Sequence, residues 1–283
     1  IWSSSRLETY RTCPYFFFTA HVLDLEPYQP PREGLDARQL GNIYHRILEL
    51  LYRAAGENAA LDILLELLPE VAEEILDEAP RVEGFRETAW WEETRRNILE
   101  NLKRSLEVIE TLDPEYGFYR SEQDFGISSR GGPPLTVSGS RGDYFRLRGF
   151  IDRVDRTEDG RVRVVDYKTS SPYAFTRYAL RRGKKLQLAL YALAAERALD
   201  LGKVGDGFYF HVRQAETSGL RLASFSVEGS RGPEAAMDHG ARMAWEAVRG
   251  ARRGAFVPRA PDDGCPSYCP AAAYCWQYDP VYW

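Results

Sequence analysis

The chain has 283 residues, a formal net charge of −5, 44% hydrophobic and 13% aromatic residues, and 28% charged residues. That is enough apolar material for a sizeable core and enough charge for a solvated surface, so a disordered or fibrous chain is excluded. No run of about 18 apolar residues occurs and the N-terminus lacks the basic-then-apolar layout of a signal peptide, so no membrane association and a cytoplasmic location are expected.

Ile1 in place of a methionine is compatible with a piece cut from a longer polypeptide. Ser3 to Leu23 opens on a serine cluster, with Ser5 the expected helix cap, and continues through Leu7, Tyr10 and Pro14 into the aromatic block Tyr15 to Phe18. A polar loop from Glu26 to Asp36 leads to a helix over Gln39 to Ala55, where Ile43, Ile47, Leu48, Leu50 and Leu51 recur at helical spacing. Asp62 to Ala79 and Thr94 to Leu112 are further amphipathic helices, joined through Pro80 to Trp91, and together they form a helical insertion. From Tyr119 the period becomes that of strands: Tyr119 to Ser128, Asp143 to Thr157 and Val162 to Lys168, with turns at Gly131-Gly132 and Asp159-Gly160. Lys185 to Ala198 returns to helix, Gly207 to Arg213 and Leu220 to Val227 are expected strands, and Pro233 to Arg249 is a helix.

Charge is unevenly spread along these elements. Glu57 to Glu78 holds eight acidic residues and no basic ones, whereas Arg161 to Lys185 holds eight basic residues and one acidic. The second stretch suits a polyanion such as DNA, although a solvated charged surface is the commoner fate of such a run.

The same stretch carries the chemistry. Asp166 and Lys168 stand two apart in a strand and therefore project from one face, while Val165 and Tyr167 face the other. If the preceding strand pairs with it through Asp159-Gly160, Asp152 reaches the same neighbourhood. Two carboxylates and an ammonium around one point suit phosphodiester hydrolysis, in which hard oxygen ligands hold Mg²⁺ or Mn²⁺ and a cation supports the nucleophile or transition state. An Asp-x-Lys alone is more often a weak exposed ion pair. Gln187 and Tyr191, four apart on the following helix, share a face that can meet the substrate or the catalytic strand. His45 reads as a core-edge histidine or, beside the two aspartates, as a ligand for Mn²⁺ or a second divalent ion.

Cys13 stands near the start of the chain, and Cys265, Cys269 and Cys275 lie near its end. Four thiolates suit zinc or a 4Fe–4S cluster. Zinc sites usually gather two close pairs, and the one-and-three split here favours the cluster. Closing a loop of roughly 250 residues would staple the fold by several kcal/mol in loop-entropy terms.

Ser5-Arg6-Leu7 through Cys13-Pro14 and Phe17, Gly41 to His45, Gly149 to Asp155, Asp166-Tyr-Lys168, Gln187 to Tyr191 and the terminal cysteines occur in an order that resembles the RecB-type nucleases of the PD-(D/E)XK superfamily, in their AddB-like iron–sulfur branch. The resemblance covers nearly the whole chain. It implies an α/β, restriction-endonuclease-like mixed sheet flanked by helices, with a helical insertion at about 56–117, a catalytic core at about 118–228 and a C-terminal helix and cysteine segment at 233–283, all one domain. It implies that Asp152, Asp166, His45 and the carbonyl of Tyr167 surround the metal, that Lys168 positions the attacking water, and that Gln187 and Tyr191 orient the site or the nucleic acid. It also implies that Cys13, Cys265, Cys269 and Cys275 hold a 4Fe–4S cluster joining the two ends, although three residues separate Cys265 from Cys269 where the family commonly has two. The expected activity is that of a deoxyribonuclease on single-stranded DNA ends, in repair or recombination, with a helicase as partner. The alternative is a non-catalytic DNA-binding scaffold stabilised by the cluster or by zinc.

Overall fold

The computed structural model describes residues 1–27, 34–127, 131–139, 142–262 and 264–280. Part of the Glu26 to Asp36 loop and the expected strand end at Ser128 therefore lie outside the described residues.

Helix α1 (Ser4–Thr12) is capped by Ser3 rather than Ser5: the Ser3 Oγ accepts from the Arg6 backbone N–H at 3.4 Å. Any of three adjacent serines can cap a helix. The choice among them follows burial, since this register puts Ser4, Leu7 and Tyr10 inside. Helix α2 (Pro14–Phe17) starts on a proline and runs into a π-turn over Phe18–Val22. Helix α3 (Ala37–Ala55) begins with a reciprocal cap, in which Asp36 and Gln39 each accept the other's backbone N–H at 2.7 Å. It buries Ile43, Ile47, Leu48 and Leu51 on one stripe. Helix α4 (Leu61–Glu83) continues through Pro80, where the sequence suggested a stop, and ends on Gly84 in the left-handed conformation. Docking on α3 stabilises that last turn, because Gln39 and Asn42 donate to the backbone and side-chain oxygens of Glu83, each at 2.9 Å. Helix α5 (Trp91–Ile109) completes the insertion.

Five strands form the main sheet: β1 (Gly117–Phe125), β4 (Gly149–Arg156), β5 (Val162–Lys168), β6 (Val204–His211) and β7 (Glu216–Arg221), hydrogen-bonded in the order β1-β4-β5-β6-β7. Only β5 and β6 are parallel. The crossover between them contains α6 (Arg177–Arg181) and α7 (Gln187–Arg197). The single strand expected over Asp143 to Thr157 is in fact two, broken at Arg148: β3 (Tyr144–Leu147) pairs with β2 (Leu135–Ser138) in a separate ribbon, and β4 enters the main sheet. The strand expected over Leu220 to Val227 is likewise split, with Ser226 and Val227 in another small ribbon. Helix α8 (Pro233–Arg252) closes the fold.

One face of the sheet packs on α1, α7 and α8 through Val162, Val164 and Tyr209, and the other on α3 to α5 through Val165, Tyr167, Phe208 and Phe210. The result is the expected α/β architecture, a mixed sheet between helices. Covered on both faces, β5 is buried from Val162 to Tyr167, and only Lys168 at its end is partly open. Among the described residues no helix is long and apolar enough to cross a membrane.

Candidate active site

Strands β4 and β5 are joined through Asp159 and Gly160, the latter at φ +84°, a conformation natural to glycine. Their regular pairing ends at Arg153 opposite Val165. One residue further on, the Asp152 carboxylate takes over from the ladder and accepts the Tyr167 backbone N–H at 2.8 Å. Asp166 lies beside it with 1% exposure and is ion-paired with Lys168. Its Oδ1 is buried and has no hydrogen-bond partner among the described residues.

Helix α3 delivers His45 to this point. Its Nε2 lies 3.2 Å from the Tyr167 carbonyl oxygen and its Nδ1 faces Asp152 at 3.5 Å and Glu122 at 3.9 Å. Glu122 comes from β1, where its φ of +44° is a strained value for a residue with a Cβ, costing about 1–2 kcal/mol. Among the described residues, His45, Glu122 and Asp152 are the one set of three such donors whose ligand atoms all lie within 4.8 Å of one another. Asp166 stands beside this trio, turned toward Lys168.

On the other side, Lys168 Nζ donates to Gln187 Oε1 at 3.2 Å. Gln187 opens α7, and Glu8 of α1 caps that helix from outside by accepting the N–H groups of Leu186 and Gln187 at 2.6 and 2.9 Å. Tyr191, one turn on, is buried under Gly149, where a Cβ would stand 2.6 Å from its hydroxyl, so this close approach requires glycine. Ser4 Oγ donates to the Tyr191 hydroxyl at 3.4 Å. An open cleft of about 750 Å³ reaches the group, lined by Ser3 to Ser5, Asn42, Arg148 and Phe150 together with His45, Glu122, Asp152, Gln187 and Tyr191.

Burial dominates the electrostatics. It raises the Asp152 carboxyl against the lowering pull of His45 and Lys168, and raises Asp166 to about 6 despite Lys168. Burial also works against a charged His45, but Asp152, Glu122 and Asp166 outweigh it and hold the imidazole at about 9. Lys168 behaves alike: Asp166 and Asp152 overcome its desolvation and raise it. Burial raises Glu8, opposed by Lys185.

Comparison with known proteins bears on what these carboxylates, the lysine and the histidine can do. The family model described as the PD-(D/E)XK nuclease superfamily matches residues 1–276. The chain belongs to this superfamily. Among curated relatives it is 31% identical over 238 residues to an ATP-dependent helicase/deoxyribonuclease subunit of Moorella thermoacetica, covering 75% of this chain and 19% of the relative. The proteins of the same name from Symbiobacterium thermophilum and Bacillus subtilis are 33% and 30% identical, over 68% and 59% of this chain and 17% and 15% of theirs. The chain thus spans less than a fifth of the length of these relatives.

Of the residues singled out in the sequence, His45, Asp152, Asp166, Tyr167, Lys168, Gln187 and Tyr191 lie next to one another, whereas Cys13, Cys265, Cys269 and Cys275 lie together at a separate place. Sequence reasoning missed Glu122 and Glu8. Only the pairing of β1 with β4 carries Glu122 to the site, and Glu8 reaches α7 from a helix almost 180 residues earlier. The four cysteines form no disulfide among the described residues and line one small cavity. Phe16 and Ala271 pack between them, and the Arg259 and Asp279 N–H groups point at Cys13 and Cys265 sulfurs at 3.4 and 3.3 Å.

Proposed function

We propose that this nuclease domain hydrolyses DNA phosphodiester bonds with Mg²⁺ or Mn²⁺ as an exonuclease on single-stranded ends, in cytoplasmic DNA repair or recombination, and works with a helicase. The observation that carries the reading is the buried Asp166 carboxylate with an unpartnered oxygen, set beside Asp152 and Lys168. A buried acid lacking a hydrogen-bond partner is costly unless a cation completes it. Asp152, Asp166, His45 and the Tyr167 carbonyl would hold the ion, and Glu122 joins them in our reading because its carboxylate belongs to the closest-spaced donor group. Oxygen donors suit Mg²⁺ and Mn²⁺ alike, and the imidazole tilts the set toward Mn²⁺. A bound divalent ion supplies Lewis acidity at the scissile phosphate and a water acidic enough to attack near neutral pH. Lys168, held by Gln187, would offer its positive charge to the attacking water. The relatives' names, which join a helicase to a deoxyribonuclease, support DNA as the substrate and a helicase as the partner.

The 283 residues are read as one domain, with the insertion at about 56–117, the core at about 118–228 and the cysteine segment at 233–283. Its two ends would be stapled by a 4Fe–4S cluster on Cys13, Cys265, Cys269 and Cys275. The split of one thiol near the start and three near the end favours the cluster over zinc, which usually gathers two close pairs, and iron and zinc analysis of anaerobically purified protein decides between them.

End-labelled single strands, duplexes and circles, incubated with Mn²⁺ or with a chelator, test the activity. Loss of label from linear single strands only when Mn²⁺ is present is expected. Equal attack on circles would refute the end requirement, and no attack on any substrate would leave a DNA-binding scaffold.

Two further results follow from the geometry. His45 is protonated below about 9, so an ion taking its place must displace a proton. Metal affinity should therefore rise with pH between 7 and 9, by about tenfold per unit, and flatten above, as titration calorimetry would read. Asp166, at about 6, is already ionised across that window. A flat profile would exclude His45 from the ligand set. Glu122→Gln should weaken Mn²⁺ binding roughly tenfold, by analogy with other losses around metal sites; unchanged binding would remove Glu122 from the site.

A further inference from the structure

A second cavity of about 800 Å³ lies between the β5–α7 connection and the Pro266 to Tyr268 segment. Its wall is unusual for a surface with no assigned purpose. Tyr173, Tyr178 and Tyr268 are 89%, 63% and 62% exposed, and among the described residues Arg182, Lys184, Lys185 and the Asp262 carboxylate also line the cavity. Leaving three tyrosines this open forgoes the burial that normally stabilises such side chains. Among the described lining residues the basic groups outnumber the acidic ones, in a chain of net charge −5.

The cations are placed among rings. The Arg182 guanidinium stands 5.6 Å from the Tyr178 ring centroid and donates to its hydroxyl at 3.0 Å, while Asp262 pairs with its other side at 2.5 Å. Lys185 Nζ lies 4.4 Å over the Phe175 ring. Both ends of this wall are tied to the active site by short stretches of chain. Lys185 precedes Gln187, the Lys168 partner, by two residues, and Tyr173 follows Lys168 by five, a reach of at most about 17 Å.

We propose that this cavity is a single-stranded DNA subsite that carries the strand to or from the catalytic carboxylates, with unpaired bases stacked on Tyr173, Tyr178 and Tyr268 and phosphates met by the cations beside them. The proposal rests on the nuclease reading for its choice of DNA. Exposed ring faces distinguish a single strand from a duplex, since stacked and paired bases offer no free face and a duplex would meet only the cations.

The experiment uses the whole chain in chelator and measures the anisotropy of a labelled oligothymidylate and of a hairpin duplex of equal charge. The variant Y173A/Y178A, checked for an unchanged melting temperature, should bind the single strand at least about tenfold more weakly and the duplex as before. K185A should instead weaken both ligands and lower the salt slope of single-strand binding by about 0.7. Hydrolysis of a small nitrophenyl phosphodiester with Mn²⁺, too short to reach the tyrosines, is expected to be the same in wild type and Y173A/Y178A. Unchanged single-strand binding in Y173A/Y178A, or equal losses on both ligands, overturns the subsite. If the wild type fails to hydrolyse the small ester, the nuclease reading falls while the binding measurements still decide the subsite.

Discussion

Asp166→Asn is expected to lower kcat/KM on a linear DNA substrate by roughly 10³-fold or more, about 4 kcal/mol of transition-state stabilisation, while the metal-free protein stays at least as stable as wild type. The first half follows from the place of Asp166 between Asp152 and Lys168. The second half follows from the sign of its shift. Burial raises the folded carboxyl to about 6, above its unfolded value of 3.8, so above pH 6 the ionised form is disfavoured by the fold. That penalty shrinks as pH falls from about 6 and is gone below the unfolded value of 3.8, and a neutral amide avoids it at every pH. Activity assays with Mn²⁺, paired with thermal denaturation in chelator at pH 7.5, read both halves. A variant that cleaves at near wild-type rate ends the assignment, and one that is inactive because it melts far below wild type shows a structural residue instead. Lys168→Ala should be equally inactive yet less stable, because it strips the cation from two neighbouring buried carboxylates.

How much of this could be read from the chain depends on the distance over which each signal acts. Asp166, Lys168 and Asp152 were legible because a strand alternates its faces and a tight Asp-Gly turn folds the hairpin, both local rules. His45 was legible as a candidate because α3 is strongly amphipathic, though only the resemblance to RecB-type nucleases made it a ligand. Glu122 carried no local signal: it lies in a short polar run on β1, and a β-bulge between Phe118 and Arg120 together with its own left-handed backbone sets where it points. The break at Arg148 was hidden because Tyr144 to Arg156 has strand-like composition throughout. Gly149 starts β4 where Tyr191 needs the space, and that requirement arises from a helix more than 40 residues away. Pro80 misled for the opposite reason: a local rule predicts a stop, and hydrogen bonds from α3 to Glu83 override it. The tyrosines of the second cavity also have no pattern in sequence, since Tyr268 joins Tyr173 and Tyr178 only when the C-terminal segment packs beside the β5–α7 connection.

Asp155→Ala should destabilise the protein by about 3–5 kcal/mol, the largest loss expected from one residue outside the catalytic group. Asp155 is fully buried on the sheet face opposite Asp152, and its carboxylate accepts from two equally buried arginines: Arg153 on its own strand, and Arg163 on β5 at 2.9 and 2.7 Å. Arg153 continues to Glu110 at 2.7 Å and to Tyr52, and Arg163 to Asp113 at 2.9 Å. Arg221 of β7 joins Asp113 to Asp206 at 2.9 and 2.5 Å. The network therefore ties β4, β5 and β7 to the end of α5. Such a cluster need not be more stabilising than an apolar core of the same shape, but removing its shared acceptor leaves two desolvated guanidinium groups competing for what remains. For a chain of 283 residues the loss corresponds to a melting temperature lower by roughly 5–8 °C. Urea denaturation of wild type, Asp155→Ala and Asp155→Asn separates the causes: the amide keeps an acceptor but not the charge and should fall between the other two. A loss below about 1 kcal/mol in Asp155→Ala would mean that water reaches the arginines and that the register of β4 on β5, which sets Asp152 beside Asp166, is held by backbone pairing and apolar packing alone.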